Sequence, residues 1–326
     1  MSVPAKDRSF GVNRTKPDRW KADVSHSVDM YNDWFIKFAP VAYRETRIKT
    51  TADVESTLAK TDNLADVSAA VLRREPGILP TLRMSACPPL AVDRLIGLAS
   101  VSRNLVGRME RGTLPHRMDE RLIETDLKKI GDIAQRMADP DIFVWLRRSE
   151  KATNEELHRA ATIIADRLCG AVANPIIRNA QEKRQFAAIR DWLEMRGYEH
   201  LAPKVKFGAM PPGTFTFRMN VPAKHERTGA IINIPADVVV MPKNRKPGEL
   251  PVLIEAKSAG DYTNVNKRRK EEATKMSQLR FAYGKKIRFI LFLCGYFDSG
   301  YLGYEAAEGI DWVWEHRIEE LAEFGL

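Results

Sequence analysis

The sequence predicts an α/β protein of the α+β kind, with an all-helical first half followed by a mixed sheet flanked by helices. Three observations predict it. Before about residue 170, apolar residues recur every three or four positions; beyond about residue 200 they come in short β-rich runs bounded by Pro and Gly. The order of these later segments, a leading helix, three strands, a helix, a strand and a helix, suits a sheet with helices on its faces.

The composition bounds the partners. With 326 residues and a 44% hydrophobic share, the chain can bury a substantial core. Lys and Arg number 52 against 43 acidic residues, for a formal charge of +9, which favours a polyanionic partner. No apolar run approaches the ~18 to 20 residues of a membrane span, and the opening MSVPAKDRSF has no signal-peptide core. No membrane association and a cytoplasmic location are therefore expected. Cys87, Cys169 and Cys294 lack metal-type spacing and are expected to be reduced thiols, and the scattered histidines form no zinc or nuclease motif.

Residues 1–19 are polar and basic and read as a flexible arm. A helix is predicted over 20–47 from Val28, Tyr31, Trp34, Phe35 and Phe38, stopping at Pro40. Residues 51–74 repeat the pattern with Val54, Leu58, Leu64, Val67 and Leu72 until REPGILP breaks it. Further helices are predicted over 90–109, after the CPP break, and over 118–137, closed by Asp139 and Pro140. Another starts at 142–146, and 154–168 is amphipathic through Leu157, Ala161, Ile164 and Leu168. This gives a helical domain over 20–170, expected to clamp DNA or to dimerise, and a second domain over 171–326.

The second domain opens with a helix, N-capped by Asn174, with Pro175 in its first turn and Gly197 at its end. Glu182 shares a face with Phe186, Ile189 and Leu193, so its carboxylate needs a partner. That partner is either a core arginine or a metal site. A short strand is predicted at 204–207, then the strand pair within 231–257, a polar basic segment over 258–275 running into a helix that reaches Tyr283, a buried strand over 286–297 and a helix over 312–324.

The strand pair carries the chemistry. IINIPADVVVM bears Asp237, and PVLIEAK ends in Glu255-Ala256-Lys257; antiparallel pairing brings Asp237 and Glu255 together at one end. In a strand, Glu255 and Lys257 share a face. Two carboxylates and the Ala256 carbonyl can hold a hard divalent ion, while the ammonium can position or deprotonate an attacking water. The same E/D-x-K spacing at Asp126-Leu127-Lys128 lies in a predicted helix, where positions i and i+2 diverge. The tyrosine-rich GYFDSGYLGY at 295–304 has neither the spacing nor the place of a paired-tyrosine nuclease motif.

Pro235-Ala236-Asp237 with Glu255-Ala256-Lys257, in an α-β-β-β-α-β order, resembles the PD-(D/E)xK nuclease superfamily. The strings SVDMYNDWF, NPIIRNAQEKRQ, EAKSAGDYTNVNKRRKEEA and GYLGYEAAEGIDWVWEHRI are similar to type II restriction endonucleases of the XamI-like group. The resemblance implies that Asp237 and Glu255 ligate Mg²⁺ with the Ala256 carbonyl, that Lys257 acts near the nucleophilic water, and that Glu182 matches the acidic residue of the leading helix, with Glu194 in the same helix as the other candidate. It also implies a short palindromic DNA site such as GTCGAC, 5′-phosphate ends and a cognate DNA methyltransferase in the host, and cutting both strands of a symmetric site leads us to expect a homodimer.

Ser258, Thr263, Asn264, Asn266, Lys267, Arg268, Arg269 and Lys270 follow the motif directly. The cations can grip phosphates, and the two asparagines carry the donor and acceptor needed to read adenine. A repair or recombination nuclease on the same core is the alternative enzyme, distinguished by smeared or junction-only cutting. A DNA-binding regulator with a structural acidic pair is the alternative without catalysis, and its footprint persists in EDTA.

Overall fold

A computed structural model describes residues 11–202, 205–226, 228–246, 248–262 and 265–326, with the backbone alone for 265–269. The helical first half is followed by a six-stranded mixed sheet flanked by helices. The chain forms two compact units, residues 38–177 and residues 1–37 with 178–326. The division differs from the expected boundary near 170, because Val24 belongs to the core of the sheet unit and Trp20 and Val28 pack against it.

Nine α-helices are described: α1 Pro17–Lys60, α2 Ala69–Arg74, α3 Leu79–Met84, α4 Val92–Ala99, α5 Arg103–Met109, α6 Glu120–Met137, α7 Asn154–Met195, α8 Val265–Tyr283 and α9 Ser299–Ala307. Pro40 and Pro175 lie inside α1 and α7 and end neither, so Asn174 caps nothing. A proline costs a helix one hydrogen bond, and burial nearby offsets that: Ala39 and Ala42 flank Pro40, and Cys169 and Ala173 precede Pro175, all buried. The helix predicted over 90–109 is two, α4 and α5, parted at Ser100 with its left-handed φ of 50°. Residues 144–147 make only a short 3₁₀ turn.

In the unit over 38–177, α2 to α6 and the adjoining parts of α1 and α7 surround a core that includes Leu72, Leu105, Val106, Leu127, Ile130 and Ile164. Part of α7 is long and apolar enough to cross a membrane by composition alone, contrary to the expectation. Its Ala160, Ala161, Ile164 and Ala165 are core residues of this unit. Asp126 is buried and accepts the Ser102 amide at 3.2 Å at the start of α5, so the helical D-x-K match is a structural carboxylate.

The sheet is β1 Glu199–His200, β2 Thr214–Lys224, β3 Ile231–Met241, β4 Val252–Ala259, β5 Arg288–Gly295 and β6 Asp311–Trp314, ordered as in the sequence. The β2–β3 and β3–β4 pairs are antiparallel, and the β1–β2, β4–β5 and β5–β6 pairs are parallel. Residues 203 and 204 lie outside the described residues, and Phe207, predicted in a strand, stands in a 3₁₀ turn over Phe207–Ala209. The closing helix predicted over 312–324 is instead β6 and a 3₁₀ segment, Glu315–Phe324. Trp312 and Trp314 pack on one face and Val313 on the other, a period of two that a wholly apolar run conceals from sequence reading.

One sheet face packs on α7 through Ile189, Trp192 and Leu193, the other on α8 through Met276 and Leu279. The expected basic arm is in part docked: the Val12 and Asn13 amides donate to the Asp311 carboxylate at 2.6 and 2.9 Å, and Asn13 Nδ2 donates to the Trp312 carbonyl. Residues 1–10 lie outside the described residues.

Candidate active site

Alternation along β4 sends Leu253 and Ala259 to the α8 side and Val252 and Ile254 to the α7 side, so Glu255 and Lys257 fall on the α8 face. The register Val238↔Ile254 carries Asp237 to the level of Glu255. Asp237 Oδ2 accepts the Ala256 amide at 2.9 Å, tying the first carboxylate to the backbone between the other two motif residues. The antiparallel hairpin thus unites Asp237, Glu255, Ala256 and Lys257.

Helix α8 completes the cluster with two residues the motif does not contain. Lys257 Nζ lies 3.0 Å from Glu255 Oε1 and 3.1 Å from Glu272 Oε1. Lys275 Nζ donates to the same Glu255 oxygen at 2.6 Å and to the Pro235 carbonyl at 3.3 Å. Glu255 and Glu272 are buried, so both ammonium groups compensate carboxylates that would otherwise be costly. The spacing of Glu272 and Lys275, one helical turn apart, is the signal that could have found them, but in a segment dense in charge it does not stand out.

Burial first, and then the Glu255 carboxylate, push the Asp237 carboxyl up to about 6, against the pull of the Ala256 amide, Lys257 and Lys275. Burial pulls the Lys257 ammonium down, yet Glu255 and Glu272 outweigh it and its pKa is raised. The Glu272 carboxyl is raised by burial, with Lys257 opposing. The site therefore holds Lys257 as a cation and makes a second negative charge beside Glu255 costly, a polarity that invites a positive ion.

The donor set fits a hard divalent cation: two carboxylates, with Glu255 Oε2 buried and lacking a hydrogen-bond partner among the described residues. No cluster of three or more His, Cys, Asp or Glu is gathered among the described residues. An ion here would complete its shell with a main-chain carbonyl, water and phosphate oxygens.

The leading helix presents a different face from the one expected. Gln181 and Gln185, both buried, point at β4: Gln181 Nε2 donates to Ser258 Oγ at 3.0 Å, and Gln185 Nε2 donates to the Lys257 and Phe292 carbonyls at 3.3 Å. Glu182, half-exposed, pairs with Arg218 at 2.8 Å, so the ion-pair alternative describes it, with a strand arginine in place of a core one. The missed glutamines lie one position from the expected acid and at i+3 from it, which one sequence could not separate.

The ladder between β2 and β3 is interrupted beside Asp237. Phe217↔Val238 and Met219↔Ala236 are paired, and Arg218, opposite Asp237, has a left-handed backbone with φ +53°. Before this point Phe215, Phe217, Val238 and Val240 face α7; past it Met219, Val221, Ile234 and Ala236 face α8. The two-stranded ribbon turns over at Arg218 and Asp237, as bulge-like breaks do next to active sites.

Of the proposed DNA-contacting residues, Ser258 is the partner of Gln181 and Lys270 is exposed on α8. Thr263 and Asn264 lie outside the described residues, as do the side chains of Asn266, Lys267, Arg268 and Arg269, whose backbone forms the first turns of α8.

A family model described as XamI restriction endonuclease matches residues 62–314. Type II restriction enzyme SalI of Streptomyces albus G is 50% identical over 317 residues, 96% of this chain and 99% of that protein. Among solved structures, protein VC1899 from Vibrio cholerae is similar over 83% of this chain and 55% of its own, so this chain spans about half its length, at 10% identity and a TM-score of 0.27.

Proposed function

The chain belongs to the XamI restriction endonuclease family and is a type II restriction endonuclease, and from that premise we propose that it cuts double-stranded DNA at a short palindromic site with Mg²⁺ held by Asp237, Glu255 and the Ala256 carbonyl. The carrying observation is the convergence of Asp237, Glu255 and Lys257 on adjacent strands, with a Glu255 oxygen left without a partner among the described residues. Restriction endonucleases typically need a divalent metal. When bound, the ion supplies positive charge at the scissile phosphate and acidity to a water.

The protein's own groups do the rest. Lys257, fixed between Glu255 and Glu272, aligns the attacking water and offsets phosphate charge. The Ala256 amide holds Asp237 in place, so the carboxylate pays no ordering cost when the substrate arrives. Attack on phosphorus breaks the bond to the 3′ oxygen, leaving 5′-phosphate and 3′-hydroxyl ends. Asn264, Asn266, Arg268 and Arg269 read bases, and Lys267 and Lys270 grip phosphates. The working form is a homodimer in the cytoplasm, with a methyltransferase protecting host DNA.

Sequencing the ends produced from a mixed DNA digest in Mg²⁺ buffer tests this directly. Discrete palindromic termini that vanish in EDTA are expected. Random termini, or undiminished cutting by Lys257→Ala, would refute the reading.

A further inference from the structure

The interruption at Arg218 turns the ribbon over, and a glycine there would make the same turn without strain. Left-handed backbone costs a non-glycine residue energy, and such strain persists chiefly where function needs it. Here the strained residue stands opposite Asp237 and is an arginine. Its side chain is 67% exposed and its Nη2 lies 2.8 Å from Glu182 Oε1. An ion pair that open adds little stability, so it does not explain the strain.

The surroundings suit a polyanion. Arg218 lies 5.7 Å from the centre of the Phe186 ring, Phe186 stacks on Phe217 at 5.1 Å, and Arg190 lies 5.2 Å from the Phe217 ring. Two guanidinium groups thus bracket an aromatic pair on the α7 side of the ribbon, at the strand position where the ribbon turns over beside Asp237. A planar fork of donors is the group best matched to a phosphate.

We propose that Arg218 is a phosphate-binding residue for the DNA backbone, aimed by the left-handed turn and held by Glu182 until DNA takes the guanidinium. Glu182 is then a positioning residue for Arg218 and not a metal ligand. The inference rests on the reading of Asp237 as part of the cleavage site.

The test compares Arg218→Ala, Arg218→Gly, Glu182→Gln and Asp237→Asn with the wild type. Duplex affinity is measured in Ca²⁺ across a salt series, single-turnover cleavage across Mg²⁺ concentrations, and thermal melting without DNA. Both Arg218 variants should bind about tenfold or more weakly and flatten the slope of log K against log salt by about one. Arg218→Gly should nevertheless melt above Arg218→Ala, because glycine accepts the backbone that alanine does not. Glu182→Gln should keep the wild-type Mg²⁺ half-saturation. Wild-type affinity and salt slope in both Arg218 variants would overturn the proposal, and a tenfold rise in Mg²⁺ demand for Glu182→Gln would return that residue to the metal. Asp237→Asn should bind without cutting. If it cuts, the cleavage-site reading itself fails, a result distinct from an unchanged salt slope.

Discussion

Lys257 is held by two buried carboxylates, and neither is dispensable for the same reason: an ammonium with one partner removed is still charged but no longer fixed. Asp237→Ala, Glu255→Ala and Lys257→Ala are each expected to lower single-turnover cleavage by at least ~10²- to 10⁴-fold, and Glu272→Gln by less, about tenfold. Asp126→Asn, which keeps an oxygen for the Ser102 amide, should leave the rate near wild type. Alanine at Asp126 is the wrong control, since it would leave that amide without its cap. Wild-type rates for Lys257→Ala would refute the assignment. A second expectation concerns the thiols. Burial, and next the Glu315 carboxylate, push the Cys294 thiol up to about 12, and burial also raises Cys169. A raised thiol pKa means less thiolate, so at pH 8 both stay protonated and unreactive while exposed Cys87 reacts. Mass spectrometry of the native protein after iodoacetamide should find one label, on Cys87.

Among the elements, β4 and β5 set the precision of the site, because β4 carries Glu255 and Lys257 and its far end is locked to β5. Gly295 is paired with Ala259 there; it has φ +97°, and a Cβ on it would sit 2.1 Å from the Ala259 carbonyl oxygen. The Gly295 amide also donates to Ser27 Oγ at 2.8 Å, tying the strand end to α1. Gly295→Ala should therefore cost ~2 kcal/mol or more, read as a melting temperature lowered by several degrees. Cleavage should fall more than stability explains, since the strand end moves with the backbone clash. An unchanged melting curve would show that the β4–β5 end yields freely. Helix α8 matters equally: the same element that brings Glu272 and Lys275 to the motif begins with the basic turn proposed to meet DNA.

At the scale of the whole molecule, cutting both strands of a symmetric site is most simply done by two copies of one active site related by a twofold axis. Light scattering is expected to give twice the mass of the 37.0 kDa chain, free or on a cognate duplex. A monomer in both states would count against the dimer. The unit over 38–177 has its own core and carries none of the proposed catalytic residues, and its proposed role is the clamp or the dimer surface. A surface variant of this unit that keeps dimer mass but loses duplex affinity would assign it the clamp, and one that becomes a monomer would assign it the dimer surface.

Hydrophobic periodicity by itself determined the helical half, the strand-rich second half and the E-x-K constellation, because each is written locally: alternation over a few residues puts Glu255 and Lys257 on one face. It misjudged Pro40, Pro175 and 312–324, where burial in the fold overrides a local breaker or hides the period of a wholly apolar run. What only the tertiary structure decided is everything that depends on one element meeting another. Glu272 and Lys275 join Lys257 because α8 packs on the sheet face to which β4 sends Leu253 and Ala259; Gln181 and Gln185, not Glu182, face that strand because of how α7 is turned; and Arg218 stands across from Asp237 because two strands pair with one position left out. At most a faint local signature marks any of these, the one-turn spacing of Glu272 and Lys275 in a segment dense in charge, since each is set by the packing of segments that are distant in the chain.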